Sequence, residues 1–361
     1  MASLHRIIYR WRLRHFNENG FMLILAVVVG LLSGLASVAL KNLVFYGGRA
    51  VTRLGTLTPF GGNVMMLVFP LVGILLTVLF VRYVVRGDIG HGLPSVLLAI
   101  SRKRSQLPSK NMYTSLIAST LTVAFGGSVG LEAPIASTGS AIGSNIGRWF
   151  RLSPKSVRLL LGCGAAGAIA GIFKAPFAGI LFVLEVFMFD LTATTALPLL
   201  ISALTAATVA YFLMGTEVQF HFEVTHPFAL SQLPFYIVLG VFCALVSLYF
   251  LRTTDKVEGL IARFRSPWVK VAVGGIVLGL LIFLFPPLYG EGYGMLSELL
   301  TGDSSSLFVD TVYSSWAGDA WFTLGVLFAL ILLKAIATAT TIGSGGVGGT
   351  FGPSLIVGGL V

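Results

Sequence analysis

The chain has 361 residues, of which 56% are hydrophobic and 11% are charged, and its formal net charge at pH 7 is +10. Its mean hydropathy of +0.92 excludes an ordinary water-soluble domain and indicates a multi-pass membrane protein built from α-helices. Most Lys and Arg residues lie in short loops beside apolar segments, as is usual in membrane proteins, so the positive charge gives no reason to expect a nucleic-acid partner.

Five charge-free segments approach the length that an α-helix needs to cross a lipid bilayer, which is ~20 residues. They are residues 20–40, 64–81, 191–216, 229–251 and 271–290. The apolar stretch of the first is too long for a cleaved signal peptide, and four more segments follow it, so we expect it to remain in the mature protein.

Basic residues predict the direction of these segments, because Lys and Arg accumulate in cytoplasmic loops. Four arginines precede residue 20, and residues 82–110 have six basic side chains against one acid. We therefore expect a protein of the plasma (inner) membrane with a cytoplasmic N-terminus, in which residues 1–18 form a basic amphipathic helix on the cytoplasmic surface.

The second part of the chain has the opposite charge pattern. Residues 291–319 hold five acids and no Lys or Arg, whereas the loop after residue 251 is basic. The segments within 229–290 should therefore run opposite to the first pair, and opposed halves are typical of inverted-repeat transporters. The predicted domains are a first membrane half-repeat at 19–216 and a second, truncated half-repeat at 217–361.

Two glycine-rich sequences recur in the two halves. GGSVGLEAP at 126–134 aligns with GGVGGTFGP at 345–353, and GHGLP at 90–94 aligns more weakly with GEGYG at 290–294. Interrupted apolar segments at corresponding positions indicate a binding site near the middle of the membrane. The predicted fold is thus all-α and polytopic, with inverted-topology repeats and broken half-helices.

The glycine loops have the features of an anion site. Pro94, Pro134 and Pro353 suit the first turn of a helix, so each loop should lead into a helix N-terminus. Helix N-termini bind anions through amide groups and the positive end of the helix dipole, without a full cation that would trap the ion. The alternative is that the glycines only permit close packing of helices.

One acid, Glu132, lies in this apolar context, with no Lys or Arg within fifteen residues on either side. An ionised carboxylate at a helix N-terminus can occupy the position of the anion and leave it when protonated. We therefore interpret Glu132 as a gate. The alternative is a structural acid that is paired with a base elsewhere in the fold.

Three motifs in this order resemble those of the CLC chloride channels and chloride/proton antiporters. They are Gly90-His91-Gly92-Leu93-Pro94, Gly130-Leu131-Glu132-Ala133-Pro134 and Gly349-Thr350-Phe351-Gly352-Pro353, and the segment 175–187 is similar to the dimer-interface helix of the family. The resemblance, which is bacterial in type, implies a homodimer in the lipid bilayer with one pore per subunit. It also implies voltage-gated or pH-gated chloride transport, with or without protons.

The same resemblance implies roles for individual residues. Glu132 is implied to be the external gating glutamate, and the backbone N–H groups of Thr350 and Phe351 to bind the central chloride. The implied anion-binding residues are His91, Gly92, Leu93, Gly130, Thr350 and Phe351. The resemblance implies no metal, no cofactor and no catalytic residue.

His91 stands where the family motif has serine. A neutral imidazole N–H can donate to an anion as a hydroxyl does, and an imidazolium would bind the anion more strongly at acid pH. The alternative is a solvated loop histidine. The fluoride-exporting relatives have asparagine-rich versions of this loop, so the resemblance disfavours fluoride as the transported ion.

Two further positions bear on proton coupling and charge. The antiporters have an acid directly after the glutamate of the dimer helix, whereas Val186 follows Glu185 here. This favours passive chloride conduction over chloride/proton exchange, with Glu185, Asp190 or water as alternative proton acceptors. Lys174 replaces a usually neutral residue, and it would either add positive potential near the inner mouth or extend to the membrane surface.

Two further predictions concern the C-terminal end of the sequence and Ser344. The sequence stops shortly after the third motif, so we expect the last helices of the family, with part of the dimer interface, to be missing. The remaining alternative is an intramembrane serine hydrolase, since Ser344 lies in a GSGG sequence. No histidine or aspartate forms a recognisable partner pattern for it, which argues against this enzyme.

Overall fold

The computed structural model describes residues 18–56, 62–86, 92–190, 192–217, 220, 229–308, 311, 313, 316 and 319–361. The predicted basic helix at 1–18, apart from its last residue, and the whole of His91 lie outside these residues. Within them every regular element is a helix, as the sequence predicts. The helices are α1 Glu18–Thr56, α2 Gly62–Leu79, α3 Leu93–Arg102, α4 Asn111–Ala124, α5 Glu132–Trp149, α6 Pro154–Phe173, α7 Pro176–Val186, α8 Ala193–Met214, α9 Leu233–Ala262, α10 Pro267–Leu284, α11 Tyr293–Leu300, α12 Ala320–Gly343 and α13 Phe351–Leu360.

Seven of the described helices are long and apolar enough to cross a membrane. Five of them, α1, α2, α8, α9 and α10, correspond to the predicted charge-free segments. The other two, α6 and α12, lie outside the predicted charge-free segments. Lys155 and Arg158 lie in the first turns of α6, and Lys334 lies inside α12, so neither helix contains a full-length uncharged window.

The chain divides into two compact units that are interleaved along the sequence. The first unit consists of Met1–Leu43, Gly87–Ile117 and Glu132–Val218, and the second of Val44–Arg86, Ala118–Leu131 and Gln219–Val361. The second unit therefore combines segments of the first predicted half-repeat with nearly all of the second, whereas the first unit ends two residues beyond the first half-repeat. A half-repeat is defined by internal symmetry, whereas a unit is defined by the contacts within it, so the two divisions need not coincide. The boundary between the half-repeats stays a prediction.

In the first unit α6 is the central helix, and it packs against α5, α7 and α8. Small residues allow a close approach, since a side chain added at Gly139 of α5 would meet the backbone carbonyl of Gly164 of α6. Polar contacts add to this packing, because the buried Ser202 hydroxyl on α8 donates to the Cys163 carbonyl at 2.7 Å. Helix–helix contact here depends on small side chains and buried hydroxyls.

In the second unit α10 packs along α2, and α12 packs against α9, α10 and α13. A side chain added at Gly279 of α10 would meet the backbone of Leu67 of α2, so the two helices are in backbone contact. Aliphatic side chains fill the space between α2, α10 and α12. The buried core of this unit includes Ile74, Val271, Leu278, Ile282, Val326 and Leu330.

Candidate functional site

The two aligned glycine loops pair with each other inside the second unit. The Gly130 amide donates to the Gly349 carbonyl at 2.9 Å, and the Gly349 amide donates back to the Gly130 carbonyl at 2.9 Å. This is an isolated antiparallel bridge between the second and third motifs. The backbone of each loop is therefore satisfied by the other loop just before a helix begins.

Each loop is also supported by a threonine hydroxyl from the helix that precedes the other loop. The Val347 amide donates to Thr122 Oγ1 at 2.9 Å, and the Ser128 amide donates to Thr341 Oγ1 at 3.2 Å. Both hydroxyls donate in turn to a carbonyl one turn earlier in their own helix, at 3.0 Å for Thr122 and 2.8 Å for Thr341. The exchange is reciprocal, as expected for two copies of one motif related by internal symmetry.

The backbone of the two loops repeats residue by residue. Gly126 and Gly345 have φ angles of +95° and +102°, a region in which glycine has no steric penalty. The next residues, Gly127 and Gly346, donate to the carbonyls of Thr122 and Thr341 at 2.8 and 2.9 Å. The predicted correspondence between the two loop sequences is therefore confirmed.

The weaker correspondence also has a structural counterpart. Gly92 is the N-cap of α3 with φ +58°, and Gly292 is the N-cap of α11 with φ +91°. Both short helices begin at the same position of the aligned five-residue sequences, at Leu93 and Tyr293. Pro94 occupies the first turn of α3, as predicted.

The first and second motifs meet inside the first unit. A side chain added at Gly92 would stand 3.1 Å from Cβ of Ala133, the second residue of α5. The second motif thus contacts the first motif at the start of α5, and it contacts the third motif through the Gly130–Gly349 bridge. Each unit thus contains one contact between two motifs, the Gly92–Ala133 contact in the first unit and the Gly130–Gly349 bridge in the second.

Glu132 is the first residue of α5 and its side chain is 0% exposed. In the equivalent place Phe351 is the first residue of α13 and is 40% exposed, with Thr350 as the N-cap. The first amide groups of a helix have no acceptor within the helix, so the start of α13 is suited to bind an anion. Glu132 places a carboxyl group at the corresponding start of α5.

Comparison with known proteins identifies the family. The family model described as voltage gated chloride channel matches residues 72–361. The chain belongs to this family. The CLC resemblance is thereby confirmed, and so is the prediction of a multi-pass, all-helical membrane protein.

Two curated relatives match most of the chain. A putative chloride channel protein ClcB-like from Ralstonia nicotianae is 28% identical over 352 residues, which cover 93% of this chain and 76% of the relative. The H(+)/Cl(-) exchange transporter ClcA from Yersinia pestis is 26% identical over 355 residues, which cover 93% of this chain and 69% of the relative.

Two solved structures have the same fold. A CLC-type fluoride/proton antiporter superposes with a TM-score of 0.73 at 25% identity, covering 93% of this chain and 78% of that protein. A slow cyanobacterial Cl-/H+ antiporter superposes with a TM-score of 0.76 at 23% identity, covering 95% of this chain and 77% of that protein.

Lys174 and Glu185 lie in the first unit at the ends of α6 and α7. Lys174 caps α6 with φ +55°, and its ammonium donates to the carbonyls of Gly215 at 2.8 Å and Glu217 at 2.6 Å, just after α8. These hydrogen bonds therefore connect the C-terminal end of α6 to the residues that follow α8. Glu185 is exposed, and Val186, the last residue of α7, is half-buried. The electrostatic and proton roles of Lys174 and Glu185 stay predictions.

Ser344, the serine of the hydrolase alternative, is the C-cap of α12 and is buried. Its hydroxyl donates to the Thr340 carbonyl at 2.6 Å. The contact is an ordinary local hydrogen bond of a helix end. Members of the family transport ions, so the family assignment argues against this enzymatic alternative.

The sequence predictions do not include three features of this region. The hydroxyls of Thr122 and Thr341 lie within apolar helices, where threonine is common and gives no signal by itself. The third feature is the buried Lys334 in the second unit, with the half-buried Glu291 close enough to act on it electrostatically. The single lysine within the apolar α12 was an available signal, because charged residues inside a span are rare and usually functional.

Proposed function

We propose that this protein transports chloride across the membrane and that Glu132 is its gate. The observation on which the proposal rests is the position of Glu132, a fully buried carboxyl group at the first residue of α5. A buried carboxylate without function would be costly inside a membrane protein. Family membership and the names of the relatives support chloride as the ion.

The chemistry follows from competition for the helix start. The amide groups and dipole at the start of α5 stabilise one negative charge, which is either the Glu132 carboxylate or an incoming anion. Protonation removes the charge from Glu132 and leaves the amides available to the anion. Transport should therefore increase as the pH falls through the titration range of Glu132.

The start of α13 is proposed to bind the permeating ion through the amides of Thr350 and Phe351. Gly92, Leu93 and Gly130 are also proposed to line the path, and the Gly92–Ala133 contact and the Gly130–Gly349 bridge support this proposal. His91 remains a proposed donor. Backbone amides bind chloride without a charged side chain at hydrogen-bonding distance. The ion is therefore held weakly enough to leave again.

For the mode of transport we propose chloride/proton exchange. Both solved structures described above are of proton-coupled antiporters, and one curated relative is an H(+)/Cl(-) exchange transporter. An acid that must be protonated in each cycle provides the coupling, since Glu132 takes up a proton when the anion displaces it.

Passive conduction is the second candidate, and Val186 favours it. This position has no carboxyl group that would take protons from the inner side, and the relative from Ralstonia nicotianae is named a putative chloride channel. The exposed Glu185 beside it is the alternative acceptor.

The reversal potential of the purified protein in proteoliposomes separates the two modes. Exchange predicts a reversal potential that shifts when a pH gradient is imposed at constant chloride, whereas passive conduction predicts the chloride equilibrium potential at every pH gradient. Replacing chloride by fluoride in the same vesicles tests the ion. Absence of any anion flux from the wild type would contradict the proposed function itself.

We also propose a homodimer in the bilayer, with α7 and α8 at the interface. Large apolar side chains on these helices are exposed, and the resemblance assigns the α7 segment to dimerisation. The exposed side chains include Phe177, Leu181, Leu197, Leu204 and Phe212. Cross-linking between cysteines introduced at Leu181 in membranes should give a dimer, and a monomer only would contradict this arrangement.

A further inference from the structure

Lys334 is a buried cation in the middle of a membrane span. It lies in α12 and is 2% exposed. A lysine inside the membrane is costly unless it is paired, and such residues usually face a functional interior. The proposed transport mechanism gives Lys334 no role.

The ammonium group of Lys334 lies against the glycine turn that precedes α11. Its Nζ donates to the Gly290 carbonyl at 3.0 Å, and the neighbouring Glu291 acts on it electrostatically. Both Gly290 and Gly292 have positive φ angles, +63° and +91°. Lys334 and Glu291 thus lie at a turn whose backbone conformation favours glycine at two positions.

This turn is connected to the glycine loops of the same unit. The Tyr289 hydroxyl donates to the Ala124 carbonyl at 2.9 Å, directly before the loop that begins at Gly126. A side chain added at Gly126 would lie 2.5 Å from the Tyr289 ring. Lys334 and Glu291 are therefore part of the packing around the second and third motifs.

Lys334 is also close to α13. A side-chain carbon added at Gly292 would stand 3.6 Å from Lys334 Nζ and 3.8 Å from the side chain of Ile356. Ile356 is five residues into α13, so its level is ~7.5 Å along the axis from the start of that helix. The ammonium group is thus on the order of 10 Å from the amides that are proposed to bind the anion.

A unit charge at that distance is large enough to matter. At an effective dielectric constant of about 20, a cation on the order of 10 Å from an anion changes the anion affinity by roughly tenfold. Glu291 reduces this effect, because its charge opposes that of Lys334. The pair can therefore set the affinity without either side chain touching the anion.

We propose that Lys334 determines the anion affinity of this transporter by supplying the positive charge of its protonated ammonium group beside α13, with Glu291 limiting the strength of this charge. The inference rests on the proposed chloride transport. It assigns Lys334 to electrostatic tuning of the site rather than to binding. A purely structural role, in which Lys334 only anchors the Gly290 turn, is the alternative that the experiment has to exclude.

Chloride and bromide titrations of the purified protein by calorimetry distinguish charge from anchoring. Lys334→Gln retains an N–H donor for the Gly290 carbonyl but has no charge, whereas Lys334→Arg retains the charge. We expect roughly tenfold weaker binding for Lys334→Gln and wild-type binding for Lys334→Arg. Because the Coulomb energy depends on charge and not on ion size, the bromide-to-chloride affinity ratio should stay the same.

Three outcomes decide the inference. Wild-type affinity in Lys334→Gln, or a changed bromide-to-chloride ratio, would overturn it in favour of an anchoring role. If Lys334→Gln does not fold, Glu291→Gln takes its place at about pH 6, where an amine is protonated and an ordinary carboxyl group is still ionised. Removal of the opposing acid should then tighten chloride binding several-fold, and unchanged or weaker binding would overturn the inference. A wild type that binds no chloride would instead contradict the proposed function.

Discussion

The two glycine loops, 126–131 and 345–350, have the same backbone and different side chains at their ends. The hydroxyls of Thr122 and Thr341 are exchanged between them, and both helices begin at the same position. The first of these helices begins with the buried acid Glu132, the second with the partly exposed Phe351.

The helices that lead into the loops differ as well. Lys334 in α12 corresponds to Ser115 in α4 when the two loops are aligned, and both side chains are 2% exposed. One half of the protein thus has an acid at the start of the helix that follows the loop, and the other has a lysine in the helix that precedes the loop. The repeated backbone forms the scaffold, and the transport chemistry depends on the positions at which the repeats differ.

Removal of the acid should have the largest effect. Glu132→Gln keeps the size and polarity of the side chain but cannot ionise, so chloride flux should lose its dependence on pH. In the wild type, flux should rise as the pH falls. Vesicle efflux at a series of pH values measures this. Asp255→Asn, an exposed acid on α9, is the matched control and should retain the wild-type profile. If Glu132→Gln retained the pH dependence, Glu132 would not be the gate. The acid would then make no functional difference between the two loops.

The positive φ angles of the loops predict a smaller, symmetric effect on stability. Gly126→Ala and Gly345→Ala should each cost about 1–3 kcal/mol, because a side chain is strained in this region and would meet Tyr289 or Val78. Thermal unfolding in detergent measures the loss. Gly240→Ala, with open space around it in α9, should be neutral or stabilising by up to about 1 kcal/mol. A loss in one loop only would show that the two backbones are not equivalent.

The threonine hydroxyls predict the smallest effect. Thr122→Val and Thr341→Val remove one hydrogen bond to the opposite loop and should cost about 0.5–1.5 kcal/mol each. Thr122 should cost somewhat more, since its hydroxyl also lies 3.1 Å from that of Thr77. The Thr→Ser variants retain the hydroxyl and should recover most of the loss. An effect of zero at both sites would mean that the reciprocal exchange contributes nothing to stability.

Much of the fold could be predicted because glycine spacing and charge-free segments are local signals. The starts of α3, α5 and α13 follow from Gly and Pro at fixed positions, and the acid Glu132 is conspicuous among apolar neighbours. Spans α6 and α12 were missed because Lys155, Arg158 and Lys334 interrupt them.

The remaining features depend on contacts between distant segments. Nothing in the sequence around Thr122 indicates that its hydroxyl accepts from Val347, and nothing around Glu291 indicates a lysine more than forty residues later. The interleaving of the two units was also unpredictable, since an internal repeat specifies which segments are equivalent and not which of them pack together.

The central claim is that the start of α13 binds the transported anion while Glu132 competes with an anion at the equivalent start of α5. Anomalous diffraction from crystals grown in bromide, with the wild type and Glu132→Gln compared, tests it most directly. We predict a bromide peak within hydrogen-bonding distance of the Thr350 and Phe351 amides in both proteins, and a further peak at the position of the Glu132 carboxyl in the variant only. Bromide absent from the start of α13, or an identical set of peaks in the two proteins, would contradict the account.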